Sequence, residues 1–150
     1  MGEIKNILWP NDLSKCSEVA LPHVVSLAKK YNATVHVLYV AKNLVHHEHW
    51  YGDFDRSHAD RLVEWETKKA RERQHELCRK HLEDCTEYLT HIDIGDPARK
   101  IIDFIYANKI DLVVMCRKGE SGDFNMGGTA QKVVEYSPVP VVITPGLDTK

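Results

Sequence analysis

Short apolar runs alternate along this chain with stretches of helical periodicity, and that alternation limits its fold more than any other feature. The runs occupy residues 4–9, 33–40, 88–94, 111–116 and 139–144. Most are apolar at successive positions, as strands buried on both faces of a parallel sheet must be. Between them, Val19, Ala20, Val24, Leu27, Ala28 and Tyr31 recur at helical spacing, as do Ala98, Ile101, Ile102, Ile105 and Tyr106, and then Ala130, Val133 and Val134. Residues 57–83 are rich in helix formers and lack Pro and Gly, which predicts a long, largely solvated helix buried along Leu62, Ala70 and Leu77. Strands alternating with helices predict right-handed crossovers and an α/β fold, a mainly parallel five-stranded sheet with helices on both faces.

The punctuation marks the same elements. Pro10-Asn11-Asp12-Leu13-Ser14 reads as the turn that ends the first strand, Asn32 as the stop of the first helix, and Pro22 as a kink or shortening within it. Gly95 closes the third strand, and Asp96-Pro97 is an N-cap followed by proline at the first helical position. Asn108-Lys109 and Ser137-Pro138 end the last two helices, while residues 41–57 follow no period and form a variable loop. Pro140 cannot donate to a ladder, so the last strand lies at an edge or carries Pro140 among its first residues. An apolar edge needs a cover. Pairing of Val139 to Ile143 with the same strand of a second copy predicts a homodimer.

A single domain accounts for residues 1–150. The net charge is −2, and acidic and basic residues are equally numerous between Asp55 and Asp84, so no basic face is offered to nucleic acid. No apolar run approaches the roughly 20 residues of a membrane span, and Met-Gly-Glu-Ile-Lys leads into a strand. These features predict a cytoplasmic protein without a membrane partner. Cys16, Cys78, Cys85 and Cys116 form no C-x-x-C pair and read as buried or idle thiols.

Chemistry concentrates in the last quarter. The run ending at Cys116 empties into Arg117-Lys118-Gly119, passes Gly122, Gly127 and Gly128, and enters a helix at about Thr129. Strand, Gly-rich loop and helix N-terminus together form an anion cradle, since free backbone N–H groups and the helix dipole both favour phosphate. The alternative is a flexible surface loop. His46-His47-x-His49, with Asp53 and His58 nearby, is either a Zn²⁺ or Ni²⁺ site or a solvated loop. Cys116, beside Arg117 and Lys118, is either a packed thiol or a reactive one. No Ser-His-Asp or Cys-His motif has a recognisable setting. Trp9 reads as core or crevice wall, Trp50 and Trp65 as interface residues.

These residues, taken in order, resemble the universal stress protein family over essentially the whole chain. Ile7-Leu8-Trp9-Pro10-Asn11-Asp12-Leu13-Ser14 resembles its first strand and Asp-x-Ser turn, and Leu38-Tyr39-Val40 the end of its second strand. Gly95-Asp96-Pro97 is similar to its G-x-P turn, and Pro138-Val139-Pro140-Val141-Val142 to its closing segment. The resemblance implies a Rossmann-like, adenine-nucleotide alpha hydrolase-like sheet of order 3-2-1-4-5 with its switch point between strands one and four. Nucleotide-binding members carry G-x-x-G, a spacer and G-[ST]. Here Cys116 stands at the first glycine, and the spacer from Glu120 to Gly127 is one residue short of the pattern. Carried over position by position, Asp12 would hold ribose hydroxyls and the Val40 backbone the adenine edge. Gly119, Gly128 and Thr129, beside Cys116, would hold phosphates. Asp12 also fits a turn or helix cap.

The implied function is a homodimeric stress-response regulator that binds ATP, ADP or AMP, with magnesium as an accompanying ion and at most slow ATP hydrolysis. Two rivals remain: a dimeric interaction module with a degenerate loop, and a metal- or thiol-responsive sensor.

Overall fold

The computed structural model describes residues 2–13, 15–41, 56–82, 87–117 and 126–145. Gly119, the His46-His47-His49 loop with Trp50 and Asp53, Ser14 and Cys85 lie outside the described residues, as do the side chains of Cys16, His58 and Leu62. The elements run β1 (Asn6–Asn11), α1 (Lys15–Glu18), α2 (Leu21–Tyr31), β2 (Thr34–Ala41), α3 (Arg56–His81), β3 (Tyr88–Ile94), α4 (Pro97–Ala107), β4 (Leu112–Cys116), α5 (Gly128–Tyr136) and β5 (Val141–Thr144). The strands form one sheet of order β3-β2-β1-β4-β5, parallel throughout.

Alternation along the strands divides the core in two. Ile7, Trp9, Val35, Val37, Leu112 and Val114 pack under α2 and α3 with Ala28, Cys78 and Leu82. The intervening Leu8, Leu38, Val113 and Met115 pack under α4 and α5 with Ile101, Ile105, Ala130 and Val133. Successive side chains point to opposite faces of a strand, so burial of both sets requires helices above and below. Burying one Val or Leu side chain completely contributes about 1.5–3 kcal/mol, and Leu8, Val35, Val37, Val113 and Val114 are all at 0% exposure.

Local chemistry sets most of the ends. The Asp96 carboxylate accepts a hydrogen bond from the Arg99 N–H at 3.1 Å, and Pro97 opens α4 where a missing N–H is harmless. Asn32 ends α2 in the left-handed region at φ 52°. Gly95 sits at φ +149°, a conformation that favours glycine.

Several expectations need correction. The first helical segment is two helices, broken at Val19-Ala20, with Pro22 in the opening turn of α2 rather than inside a continuous helix. Tyr106 (67% exposed), Val134 (45%) and Tyr31 (43%) point to solvent, because the helix stripes that meet the sheet are narrower than the apolar periodicity. Pro10 is no turn residue, since β1 continues through it to Asn11. The last strand starts at Val141 rather than Val139, and it is the edge strand that Pro140 led us to expect.

Candidate functional site

The central strands β1 and β4 are clamped at one end, and their pairing stops short of the other. At the clamped end the backbone N–H groups of Lys5 and Asn6 both donate to the Asp111 carboxylate at 2.9 Å, and the Asp111 N–H donates to the Asn6 carbonyl at 2.8 Å. The Lys5 carbonyl accepts from Thr34 at the start of β2. Backbone groups alternate in direction along a strand, so even-numbered residues of β1 address β4. Pro10 is one of these, and it brings no N–H. Pairing with β4 stops at Leu8↔Val113, whereas pairing with β2 runs on to Asn11↔Tyr39.

The helices reinforce this opening. The chain leaving β1 turns to the α2–α3 face, and the chain leaving β4 enters α5 on the other face. A crevice at the carboxyl ends of two such strands is where doubly wound sheets take their ligands. On the β1 side Asp12 is exposed, and Leu13 takes the left-handed conformation at φ 63°. Arg73 Nη2 lies 3.5 Å from the Leu13 carbonyl. Burial first, then the charges of Glu66 and Asp12, raise the pKa of half-buried Tyr39, against the opposing pull of Arg73. Val40 stands one residue past the last β1–β2 pair, and the parity of the ladder turns its backbone toward β1.

On the far side stands the N-terminus of α5. Its N-cap, Gly127, makes no side-chain cap bond, and among the described residues a Cβ placed on Gly128 would meet nothing within 4 Å. The Gly127 N–H is tied to the Arg117 carbonyl at 3.0 Å, and the Gln131 N–H makes the first helical bond, to Gly127. The amides of Gly128, Thr129 and Ala130 therefore precede the helical ladder in a terminus with space before it. Cys116 is buried at the end of β4, its Sγ 3.8 Å from the Pro145 carbonyl. Exposed Arg117 follows, its N–H on the Thr144 carbonyl at 2.9 Å.

Of the residues singled out from the sequence, Asp12, Val40, Cys116, Gly128 and Thr129 all stand at the carboxyl ends of the central strands or at the α5 terminus. Trp9 is core, at 0% exposure. The histidine loop of the metal reading lies outside the described residues, among which no group of three His, Cys, Asp or Glu is placed to hold a metal. Elsewhere in the core, burial pushes the Cys78 thiol up to about 12. Among those residues, too, no helix is long and apolar enough to cross a membrane.

Two features escaped the sequence reading. Gln74 is buried on α3, where its Nε2 donates to the carbonyls of Val37 and His91 at 3.1 Å. Its spacing of four from Ala70 and from Cys78 was the available signal. Asn11, at 8% exposure, has neither Nδ2 nor Oδ1 hydrogen-bonded among the described residues.

An open parallel sheet whose order reverses between β1 and β4, with a carboxylate after one strand and a helix N-terminus following the other, defines the class of α/β proteins whose switch point lies between those strands. Residues 3–145 match the Universal stress protein family, and the chain belongs to it. It is 27% identical to universal stress protein MJ0531 of Methanocaldococcus jannaschii over 145 residues, spanning 93% of this chain and 81% of that protein. Among solved structures, universal stress protein UspA of Lactobacillus plantarum aligns with a TM-score of 0.78 at 22% identity, covering 95% of this chain and 99% of that one. The universal stress protein of Archaeoglobus fulgidus, solved in complex with dAMP, aligns with a TM-score of 0.62 at 16% identity, covering 95% and 98%.

Proposed function

We propose that this protein binds an adenine nucleotide in the crevice between β1 and β4, and that occupancy orders the neighbouring loops and so changes what it contacts as a stress-response regulator. The observation that supports this reading is the placing of the α5 N-terminus and of Asp12 after the carboxyl ends of β4 and β1, where doubly wound sheets take ligands. Phosphates would lie on the amides of Gly128 and Thr129, with Gly119 beside them, the ribose on Asp12, and the base at the Val40 backbone. The relative solved with dAMP supports adenine as the base. The reading extends to a cytoplasmic homodimer through residues 139–143, supported by β5 being an edge strand with Val141, Val142 and Ile143 only partly covered. No catalytic residue is assigned, and any ATP hydrolysis is expected to be slow.

One observation favours a second reading, a dimeric interaction module with an unused crevice. Cys116 is buried where binding members carry their first glycine, and its Cβ opposes close backbone approach to a phosphate. A single experiment separates the two. Protein purified without added nucleotide is denatured with acid, released small molecules are identified by mass, and ATP is titrated calorimetrically into the refilled or empty protein. About one adenine nucleotide per chain, or saturable ATP binding, upholds the first reading; neither leaves only the second.

A further inference from the structure

Among the described residues three besides glycine take a positive φ: Leu13, Asn32 and Lys109. Asn32 is the C-cap of α2 and Lys109 follows the C-cap of α4, so both end a helix in the conformation common there. Leu13 has no such setting. It follows a strand, at φ 63°, where a leucine backbone is strained. Strain of that kind persists only where the surroundings enforce it, and it gathers at functional sites.

The enforcing contact comes from 60 residues away: Arg73 Nη2 donates to the Leu13 carbonyl at 3.5 Å. Arg73 reaches out from a fixed place. Its neighbour Gln74 is buried and pins α3 to the sheet through the carbonyls of Val37 on β2 and His91 on β3. Tyr39, which pairs with Asn11 at the end of β1, shows how closely the charges gather there. Besides its burial, Glu66, Asp12 and Arg73 all act on its phenol. Arg73 is therefore tied to the residue after Asp12 and shares a tyrosine with Asp12 itself, at the carboxyl ends of β1 and β2.

We infer that Arg73 is a positioning residue: its guanidinium holds Leu13 in the left-handed conformation and thereby fixes the turn from which Asp12 holds the ribose of a nucleotide. The inference rests on the crevice being a nucleotide site, and the experiment tells the two apart. AMP, adenosine and dideoxyadenosine, which lacks the ribose hydroxyls, are titrated calorimetrically into the wild type and into Arg73→Met, which keeps the aliphatic stem. Arg73 is exposed, so the melting temperature should stay within a few degrees. Because the bond is long and exposed, AMP and adenosine should both weaken about fivefold, and dideoxyadenosine should not weaken. Leu13→Gly adopts φ 63° without strain, so in its background Arg73→Met should cost less than about twofold. Arg73→Gln carries the same comparison should Arg73→Met not fold. Weakening of AMP alone would make Arg73 a phosphate contact and overturn the positioning role. Unchanged AMP affinity, equal weakening of dideoxyadenosine, or the full loss persisting beside Leu13→Gly overturns it as well. A wild type that binds no AMP overturns the nucleotide reading, and this inference with it.

Discussion

Acidification should destabilise this protein through one pair, buried His36 on β2 and half-buried His91 on β3. Their rings stack with centroids 5.4 Å apart, His36 Nδ1 lies 3.2 Å from His91 Nε2, and His36 Nε2 lies 3.1 Å from Asn6 Oδ1. The Asn6 oxygen only accepts, so His36 carries its proton on Nε2 and offers Nδ1 as acceptor. His91 must then donate from Nε2. Both rings are neutral in this arrangement, and Phe104 of α4 closes over them edge-on. Of the carboxylates on neighbouring elements, Asp111 is held by the backbone of Lys5 and Asn6, and Asp93 is paired with Lys100 at 3.7 Å.

Burial first, and for His36 also the neighbouring His91, holds both pKa values below the usual 6.5. The unfolded chain therefore takes up protons at higher pH than the folded one, so stability is full above about pH 6.5 and falls as pH drops below it. Each histidine that stays neutral in the fold costs up to about 1.4 kcal/mol by one pH unit below that point. The pair can accept a first proton on His91 Nδ1, with the His91 Nε2–H still donating to His36 Nδ1. A second would set two N–H groups against each other across 3.2 Å. At least one proton is thus excluded while the pair stays intact. Urea denaturation at intervals from about pH 7.5 to about 5.5 measures the slope, and carboxylates titrate mainly below that window. His91→Gln, whose amide can still donate to His36 Nδ1, should flatten the slope by about one proton. A flat profile in the wild type, or an unchanged slope in His91→Gln, would refute the reasoning.

Four further changes test other parts of the structure. Gly128→Val fills the space before α5 without meeting any described atom, so it should abolish ATP binding in calorimetry while the melting temperature stays within a few degrees. Asp96→Ala removes the bond to the Arg99 N–H and should lower unfolding free energy by about 1 kcal/mol in urea titration, with nucleotide affinity unaltered. Gly95→Ala places a Cβ 2.8 Å from Lys100 Cε in a conformation L-residues rarely adopt; because that lysine can move, the cost should come from the backbone, about 1–3 kcal/mol. Val142→Lys puts a charge on the β5 edge and should convert a dimer to a monomer in sedimentation velocity, the fold preserved by circular dichroism.

The amino-acid sequence by itself determined the order and type of the elements, because periodicity, caps and turn residues act over a few positions. Residues 88–94 form β3 as their alternation predicts, Asp96-Pro97 caps α4, and Asn32 ends α2. The same short-range signals misplaced Pro10 and turned Tyr106 and Val134 inward, since what lies opposite a strand or helix is not written beside it. The family resemblance carried the strand order and pointed to Asp12, Val40, Cys116, Gly128 and Thr129, which the fold places at the carboxyl ends of β1, β2 and β4 and at the start of α5. Only the tertiary structure decided that β1–β4 pairing ends at Leu8, that the Asn11 amide is buried without a partner among the described residues, that Gln74 and His36 lie inside, and that His91 is half-buried beside His36. Each of these depends on a neighbour distant in sequence: β4 on Pro10, α3 on the β2–β3 ladder, β3 on His36. Burial and hydrogen bonding are set by such long-range contacts, and a polar residue shows whether it serves the fold or a ligand only once its surroundings are assembled.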